Sequence, residues 1–500
     1  MNRGRPQQAD RCRSSCGARL IFLLALCGGL AYAQPLAIRR VTVIDATGHA
    51  ALPDMTVVVV GDRIDTIGPW KKTKIPRNAQ VVDGAGKFLI PGLWDMHVHG
   101  AADLRAPWTH PLFVANGVVG VREMAGPADA RAWRDRHAAD RPPLNVYLGS
   151  PIVDGPNPQW PGSIVAANEA QGREAVDRQQ QRGADFIKVY SWLPRGVYFA
   201  IADEARKRGI PFEGHVPVSV SAAEASDAGQ KSIEHLTLLA EGCSGEETAI
   251  LSEERRLEEV LRSPTVTLEE KVAAGKSWFP NDARKYATYD EATAQSLFAR
   301  FVKNGTWQCP TLTEIHGKID DPLPPDDPRL KYLSKEVRSE WDAGHYKRFP
   351  PVVRGAMIES AKTEFQQSLK LVGRMHRAGV GILAGTDALN PQCFPGFGIH
   401  DELALLVDAG LPPLAALQAA TRNAAQFMGQ IDRRGTIEAG KIADLVLLGK
   451  DPLADIHNTR SIEAVVLNGA LMPRAALDAM LADAQALATL LESAGPGKGN

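Results

Sequence analysis

The sequence predicts an α/β fold, a (βα)8 barrel of the TIM type that carries a small β-sandwich domain formed by both chain ends. Three observations lead to this prediction. Eight short apolar stretches alternate with segments of helical periodicity, as in parallel strands that are joined by helices. β-Rich segments occur near both ends of the chain, and 500 residues are enough for one large domain and one small one.

Residues 1–33 differ from the rest of the chain and are predicted to be a signal peptide. Five arginines precede an apolar stretch at 20–32, which ends in Ala-Tyr-Ala. This order is typical of a signal peptide, here cleaved before Gln34. The stretch is short for a membrane span, so export is expected, without stable membrane insertion after cleavage. Lipid attachment at Cys27 is a less favoured alternative.

Both ends of the mature chain are predicted to form the β-sandwich. Strand-like runs separated by turn residues cover 37–44, 56–60, 63–67, 442–448 and 462–467. The predicted order is therefore a signal peptide at 1–33, the first sandwich part at 34–88, the barrel at 89–434, the second sandwich part at 435–475, and a C-terminal helix and tail at 476–500.

The eight apolar stretches are the predicted barrel strands, at 93–99, 118–124, 145–148, 186–190, 211–215, 232–236, 306–312 and 380–384. Two other stretches, 241–304 and 316–356, are longer than a simple connection requires. Long additions to a barrel tend to lie over its active face, so these two either shape substrate entry or form solvated surface.

The composition favours an enzyme with a small-molecule substrate. The chain is 44% hydrophobic and 23% charged, with a formal net charge of -1, so no bulk attraction to nucleic acid is expected. Three cysteines follow the signal peptide, Cys243, Cys309 and Cys393, and they are widely spaced. They predict buried thiols and not a disulfide framework. The sequence indicates no oligomeric state.

Two histidines and an aspartate indicate a metal site. His97 and His99 are two apart in a predicted strand, so both imidazoles project from the same face and can converge on one ion. Asp387 follows the eighth predicted strand, at the end of the barrel where such enzymes place their catalytic groups. As alternatives, the histidine pair is incidental and Asp387 caps a helix.

Three further residues lie at the ends of predicted strands. Lys188 belongs to an apolar run, where an unpaired ammonium is costly to bury, so it either reaches solvent or is chemically converted. His215 and His235 end the fifth and sixth predicted strands. Taken singly, each of these histidines also fits a core or loop position.

Three motifs together resemble the amidohydrolase superfamily. They are LIPGLWDMHVH at 89–99, GADFIK at 183–188 and GTIEAGKIADLV at 435–446. The resemblance covers nearly the whole mature chain and is strongest to the branch with imidazolonepropionase-like enzymes and metal-dependent Xaa-Pro dipeptidases. It is specific to the superfamily and says little about the substrate.

The resemblance implies a centre with two divalent metal ions. By position, His97, His99 and Asp387 would hold one ion, and His215 and His235 the other. Lys188 would bridge the two as a carboxylated lysine, which turns a buried cation into an anion. Zinc is the expected ion, with manganese, cobalt and iron as alternatives.

The resemblance also implies hydrolysis of a C–N amide bond in a small substrate, such as an Xaa-Pro-like dipeptide. Asp387 would move protons, and His215 and His235 would help to polarise the carbonyl. Tyr190 and His400 are expected to contact the substrate, or else to pack and to begin a helix. The alternatives are a hydrolase of cyclic amides or lactones and, in another class, a catalytically silent binding protein. Arg122 and Glu123 are expected to pair with each other or with Asp95.

Overall fold

The computed structural model describes residues 34–138, 144–319, 323–342 and 351–493. The predicted signal peptide at 1–33 therefore lies outside the described residues, as do parts of the predicted insertion at 316–356. Among the residues that are described, no helix is both long enough and apolar enough to cross a membrane.

The described strands follow the predicted ones closely in most places. They are β1 Leu36–Val43, β2 Leu52–Val60, β3 Arg63–Pro69, β4 Gln80–Asp83, β5 Phe88–Pro91, β6 Leu93–Val98, β7 Val118–Glu123, β8 Asn145–Leu148, β9 Val153–Asp154, β10 Ile164–Val165, β11 Ile187–Val189, β12 Phe212–Gly214, β13 Ser232–Glu234, β14 Trp307–Cys309, β15 Leu445–Leu448, β16 Ile462–Leu467 and β17 Ala470–Pro473.

Helices connect most of these strands. They are α1 Ala106–Ala115, α2 Ala130–His137, α3 Glu169–Gln181, α4 Arg195–Arg208, α5 Ala222–Asp227, α6 Leu239–Gly242, α7 Glu247–Arg262, α8 Leu268–Ala287, α9 Glu291–Asn304, α10 Leu312–Gly317, α11 Lys335–Asp342, α12 Pro351–Arg377, α13 Gly398–Asp408, α14 Pro413–Ala419, α15 Arg422–Phe427 and α16 Arg474–Ser493, with short 3-10 helices at Leu330–Tyr332 and Ile456–Arg460.

Strands from both ends of the chain share one eight-stranded sheet. Its order is β17-β16-β15-β5-β1-β2-β3, with β4 paired to β1. β15 lies antiparallel to β5 and so joins the late strands to the early ones. Apolar side chains of β1, β2, β3, β5, β15 and β16 form a buried core on this sheet. A sandwich of two facing sheets stays a prediction.

Parallel strands form the central part of the chain, in two sheets of order β6-β7-β8 and β10-β9-β11-β12-β13-β14. All residues of β6, β7, β11, β12 and β13 are buried, as expected for parallel strands covered on both faces. The predicted eighth strand, 380–384, is not a regular strand. Isolated parallel bridges join Ile382 to Gln308 and Ala388 to Val98. The fold is thus mixed α/β with parallel sheets, and a closed barrel stays a prediction.

The predicted helical insertion at 241–304 contains the second half of α6 and the whole of α7, α8 and α9. Side-chain caps explain where two of these helices begin. Thr267 and Glu270 form a reciprocal capping box at the start of α8, and Asp290 accepts a hydrogen bond from Thr293 N at the start of α9. Gly305 ends α9 with a φ of 69°, a left-handed conformation that glycine adopts without steric cost.

Candidate metal centre

The six predicted metal-site residues line a single cavity of about 1280 Å³. Each lies at or just beyond the end of a parallel strand or of the 380–384 segment. These residues are His97 and His99 at β6, Lys188 in β11, His215 after β12, His235 after β13, and Asp387. Because parallel strands end at the same edge of a sheet, residues far apart in sequence meet here.

Asp387 lies at the middle of this group. Its Oδ1 is 3.3 Å from His97 Nε2 and 3.0 Å from His99 Nε2, and its Oδ2 is 3.9 Å from His235 Nδ1. The imidazole centroids of His97 and His235 are 4.6 Å apart, and those of His215 and His235 are 4.8 Å apart. Ligand atoms of His97, His235 and Asp387 all lie within 4.8 Å of one another, which is a spacing that a metal ion can occupy.

Two atoms at this point are buried without a hydrogen-bond partner, His97 Nε2 and Asp387 Oδ1. His97 Nδ1 is 2.8 Å from a Glu234 oxygen, and a carboxylate can only accept, so the proton is on Nδ1. Nε2 is then an unprotonated nitrogen that faces a carboxylate oxygen. Buried polar atoms are normally satisfied, and a shared cation would satisfy both of these. The residues present therefore fit a divalent metal ion.

The local backbone is unusual at two of these residues. His235 has a φ of 55° and Asp387 a φ of 58°, in the left-handed region that non-glycine residues seldom occupy. Such conformations cost about 1–3 kcal/mol and cluster at functional sites. In a regular strand Glu234 and His235 would point to opposite faces. The turn at His235 lets both side chains reach His97.

Glycine is required beside His215. Gly214 has a φ of 133°, and a Cβ there would lie 2.2 Å from the Val189 carbonyl oxygen of the neighbouring strand. This close approach of β11 and β12 places His215 next to Tyr190, with ring centroids 4.0 Å apart.

Side-chain hydroxyl groups contact the ring nitrogen Nδ1 of His215 and of His235. His215 Nδ1 lies 2.9 Å from Ser191 Oγ, and His235 Nδ1 lies 2.7 Å from Thr311 Oγ1. Contacts of this kind fix ring orientation and leave Nε2 for a ligand. Thr311 is in turn held by the turn that follows it, because Glu402 accepts hydrogen bonds from the backbone N–H of Leu312 and Thr313.

A buried arginine supports the centre from below. Arg122 is fully buried and donates to Glu213 at 2.7 Å, to Glu234 at 2.8 Å and to Ser232 Oγ at 2.8 Å. Its Nε also donates to the Met96 carbonyl oxygen. Arg122, Glu213 and Glu234 are all charged groups that would be costly to bury alone, and their ion pairs reduce this cost.

The expected pairing of Arg122 with Glu123 or Asp95 is wrong. Glu123 accepts a hydrogen bond from Ala101 N and lies 3.7 Å from His99 Nδ1, whereas Asp95 accepts two hydrogen bonds from Thr386. Arg122 meets Glu213 and Glu234, which sequence reasoning missed. A signal was present, since each of these charged residues lies inside an apolar strand and needs a buried partner.

Burial and neighbouring charges determine which residues of the site are ionised. Burial lowers the pKa of His97 to about 4, and it lowers the pKa of His215 and His235 well below the ordinary value. The pKa of Asp387 is also well below its ordinary value, because His97, His235 and His99 outweigh the opposing effect of burial. Neutral imidazoles and an ionised carboxylate are the forms that bind metal ions.

His99 and Lys188 behave differently. Burial opposes the charge on His99, but the neighbouring carboxylates of Asp387 and Glu123 raise its pKa to about 9. Burial lowers the pKa of Lys188 to about 8, although Glu234 and Asp387 favour the ammonium. Within the described part of the chain no hydrogen bond or ion pair reaches the Lys188 ammonium, which is 1% exposed as a residue and lines the cavity. Lys188 therefore loses its proton far more readily than an ordinary lysine, although the ammonium is still the main form at pH 7.

The two predicted substrate contacts lie in different surroundings. Tyr190 lines the cavity, and its hydroxyl accepts a hydrogen bond from Trp160 Nε1 at 2.7 Å, which leaves the phenolic proton free to be donated. His400 is buried and is not among the residues that line the cavity. Its ring nitrogens lie 2.9 Å from Thr459 Oγ1 and 3.1 Å from the Asn116 carbonyl oxygen, so they contact protein groups.

Comparison with known sequences places this geometry in context. The sequence profile of the amidohydrolase family matches residues 167–472. An imidazolonepropionase from Aromatoleum aromaticum (strain DSM 19018 / LMG 30748 / EbN1) is 39% identical over 88 residues, 17% of this chain. That match spans 20% of the relative's length.

Solved structures share the fold over most of the chain. A bottromycin amidohydrolase has a TM-score of 0.65 and 23% identity, covering 91% of this chain and 90% of its own. A Xaa-Pro dipeptidase with methionine bound in its active site has a TM-score of 0.61 and 19% identity, covering 88% of this chain and 100% of its own. At these identities the likeness concerns the fold alone.

Proposed function

Because this chain belongs to the amidohydrolase family, we propose that it is an exported, metal-dependent hydrolase that cleaves a C–N amide bond in a small substrate. One observation carries the proposal. A buried, unprotonated His97 Nε2 and a buried Asp387 Oδ1 face each other without hydrogen-bond partners, at the end of the parallel strands. Buried polar atoms are normally satisfied, and a cation bound between these two would satisfy both.

The proposed centre would hold two divalent ions, of which zinc is the first choice. His97, His99 and Asp387 would hold one ion, His215 and His235 the other, and Lys188 would bridge them after carboxylation. The unpaired Lys188 amine supports this last step, because only the uncharged amine can add to CO2 and burial lowers the pKa of Lys188 to about 8. When bound, such ions lower the pKa of a water molecule toward about 7 and polarise a carbonyl.

The side chains of the protein supply positioning and proton transfer. Asp387, held ionised, accepts a proton from the attacking water at a carboxylate oxygen and passes it to the leaving nitrogen, which must be protonated to depart. Tyr190, which lines the cavity beside His215, donates a hydrogen bond from its phenolic O–H to a carbonyl or carboxylate oxygen of the substrate. The same eight parallel segments are proposed to form a closed barrel, which the bridges at Ile382 and Ala388 support.

A Xaa-Pro-like dipeptide is the proposed substrate, and a dipeptidase with the same fold supports that choice. Hydrolysis of a cyclic amide is the second candidate, favoured by the 39% identity to an imidazolonepropionase. Side-by-side turnover of linear dipeptides and cyclic amides by the metal-loaded enzyme distinguishes the two.

The metal content per chain tests the proposal. Elemental mass spectrometry of protein purified without chelators should give about two divalent ions for the wild type and fewer for His97→Ala. Wild-type protein that stays folded but takes up no zinc, manganese or cobalt would refute a metal-dependent hydrolase.

A further inference from the structure

The cavity has a second wall that the metal centre does not use. Glu254 and Glu258 lie four residues apart on α7, so their side chains share one face of the helix, and both line the cavity. Glu254 is only 5% exposed. Among the described residues, neither carboxylate has a hydrogen bond or an ion pair. A carboxylate on a side chain as buried as Glu254 is normally paired, and Glu258 beside it is half-buried, so both favour a partner from outside the fold.

The nearby lysine is already shared between two other carboxylates. Lys285 Nζ lies 2.9 Å from Glu241 and 2.6 Å from Asp282, and all three residues line the same cavity. This group carries one negative charge in excess before Glu254 is counted. The wall formed by α7 and α8 therefore attracts positive charge.

Aromatic and titration properties agree with this conclusion. Trp278 of α8 lines the same cavity, and the face of an indole ring attracts cations. Burial raises the pKa of Glu254 and of Glu258 to about 8. Opposite charge favours the ionised carboxylate, so a cation that binds here displaces protons and satisfies both groups.

We propose that Glu254 and Glu258 form a subsite for a cationic group of the substrate, an ammonium or a guanidinium, while the scissile amide lies at the metal centre. This inference rests on the proposed amidohydrolase function and narrows its substrate class to amides with a positively charged side chain or amine. The single cavity that contains both groups of residues makes simultaneous contact possible.

Hydrolysis of matched dipeptides tests this subsite. Lysine at either position is compared with norleucine, which keeps the methylene chain and lacks the ammonium. The metal-loaded wild type should show a kcat/KM at least tenfold higher for lysine. This ratio should fall at least tenfold in Glu254→Gln and in Glu258→Gln, because glutamine keeps the shape and removes the charge. Glu259→Gln, on the exposed side of α7, is the control and should keep the wild-type ratio.

A binding measurement separates this inference from the proposed reaction. Calorimetry with pentylammonium, and with pentanol as the uncharged control, needs no turnover. Pentylammonium binding that is lost in Glu254→Gln supports the subsite even when no amide is cleaved, in which case only the proposed reaction fails. Equal rates for lysine and norleucine dipeptides in the wild type, or equal pentylammonium binding by the wild type and Glu254→Gln, would overturn the subsite.

Discussion

The layer of side chains beneath the metal centre and the α7 wall of the cavity treat buried charge in opposite ways. At the strand ends, Arg122 is hydrogen-bonded to Glu213 and Glu234, and Glu234 in turn holds His97. On α7, Glu254 and Glu258 are left without partners among the described residues. The first arrangement fixes the positions of the side chains at the metal centre, whereas the second leaves two carboxyl groups available to a ligand. The comparison suggests that chemistry and selectivity reside on separate elements of this protein.

Removing the central carboxylate should have the largest effect. Asp387→Asn keeps the size of the side chain but removes the ionised oxygen that faces His97 and His99. We expect kcat/KM of the metal-loaded enzyme to fall by about 10³-fold or more, because proton transfer alone contributes about 10²–10⁴-fold. Asp408→Asn, at the exposed end of α13, should retain full activity. If the kcat/KM of Asp387→Asn lies within tenfold of the wild-type value, Asp387 has no essential role in the reaction.

Breaking the buried ion pairs should cost stability first. Arg122→Met leaves Glu213 and Glu234 buried without a counter-charge, and such a loss costs about 3–5 kcal/mol. Urea denaturation should show a much lower midpoint. Arg256→Met removes an exposed pair with Glu253 and should change the free energy of unfolding by less than about 1 kcal/mol. Equal midpoints for the two variants would contradict the structural role of the network.

The hydrogen bond to His97 can be weakened by a change at Glu234, which also removes one of the two carboxylates that pair with Arg122. Glu234→Gln replaces the carboxylate that accepts the His97 Nδ1 proton. Loss of such a partner usually lowers metal affinity about 10–100-fold. Competition with a chelator measures this affinity, and Glu269→Gln on the exposed face of α8 is the control. Unchanged affinity in Glu234→Gln would show that His97 needs no support from the arginine network.

Replacing His400, a buried histidine outside the cavity, should have the smallest effect, a change in the pH dependence of stability. Burial lowers its pKa to about 3, from an ordinary value of 6.5. The unfolded chain therefore takes up a proton that the folded chain refuses, and stability falls as the pH drops below 6.5. Between pH 7.5 and 5.5 this amounts to about 1.4 kcal/mol. His400→Gln should show a pH dependence of the unfolding midpoint that is weaker by this amount, and an unchanged dependence would contradict it.

The sequence predicts the candidate centre well because the residues of this centre lie at or near the ends of predicted strands. A histidine pair with a spacing of two and single charged residues at the ends of apolar runs are local signals, and the structure brings all six residues to one cavity. Most of the strands are local signals as well, such as β16, whose predicted bounds match the structure.

Contacts between residues far apart in the sequence could not be predicted. Which buried carboxylate meets Arg122 depends on the order of strands around the sheet, so Glu213 and Glu234 were not linked to it. The 380–384 segment reads as a strand because it is apolar, yet its backbone makes only isolated bridges among the described residues. The role proposed for Glu254 depends on the cavity beside α7. That cavity is formed by distant parts of the chain, so no local sequence pattern predicts it.

The sheet that unites both ends of the chain has a consequence for biosynthesis. β15 pairs with β5 through Leu445 and Pro91, so the edge of β5 has no partner until residues 92–444 have been made. An unpaired edge can join the strands of other chains and start aggregation. Ribosome-bound chains should therefore expose this edge for most of translation, which makes it a binding target for chaperones. A chain truncated before residue 445 should aggregate even though its metal-site residues are all present.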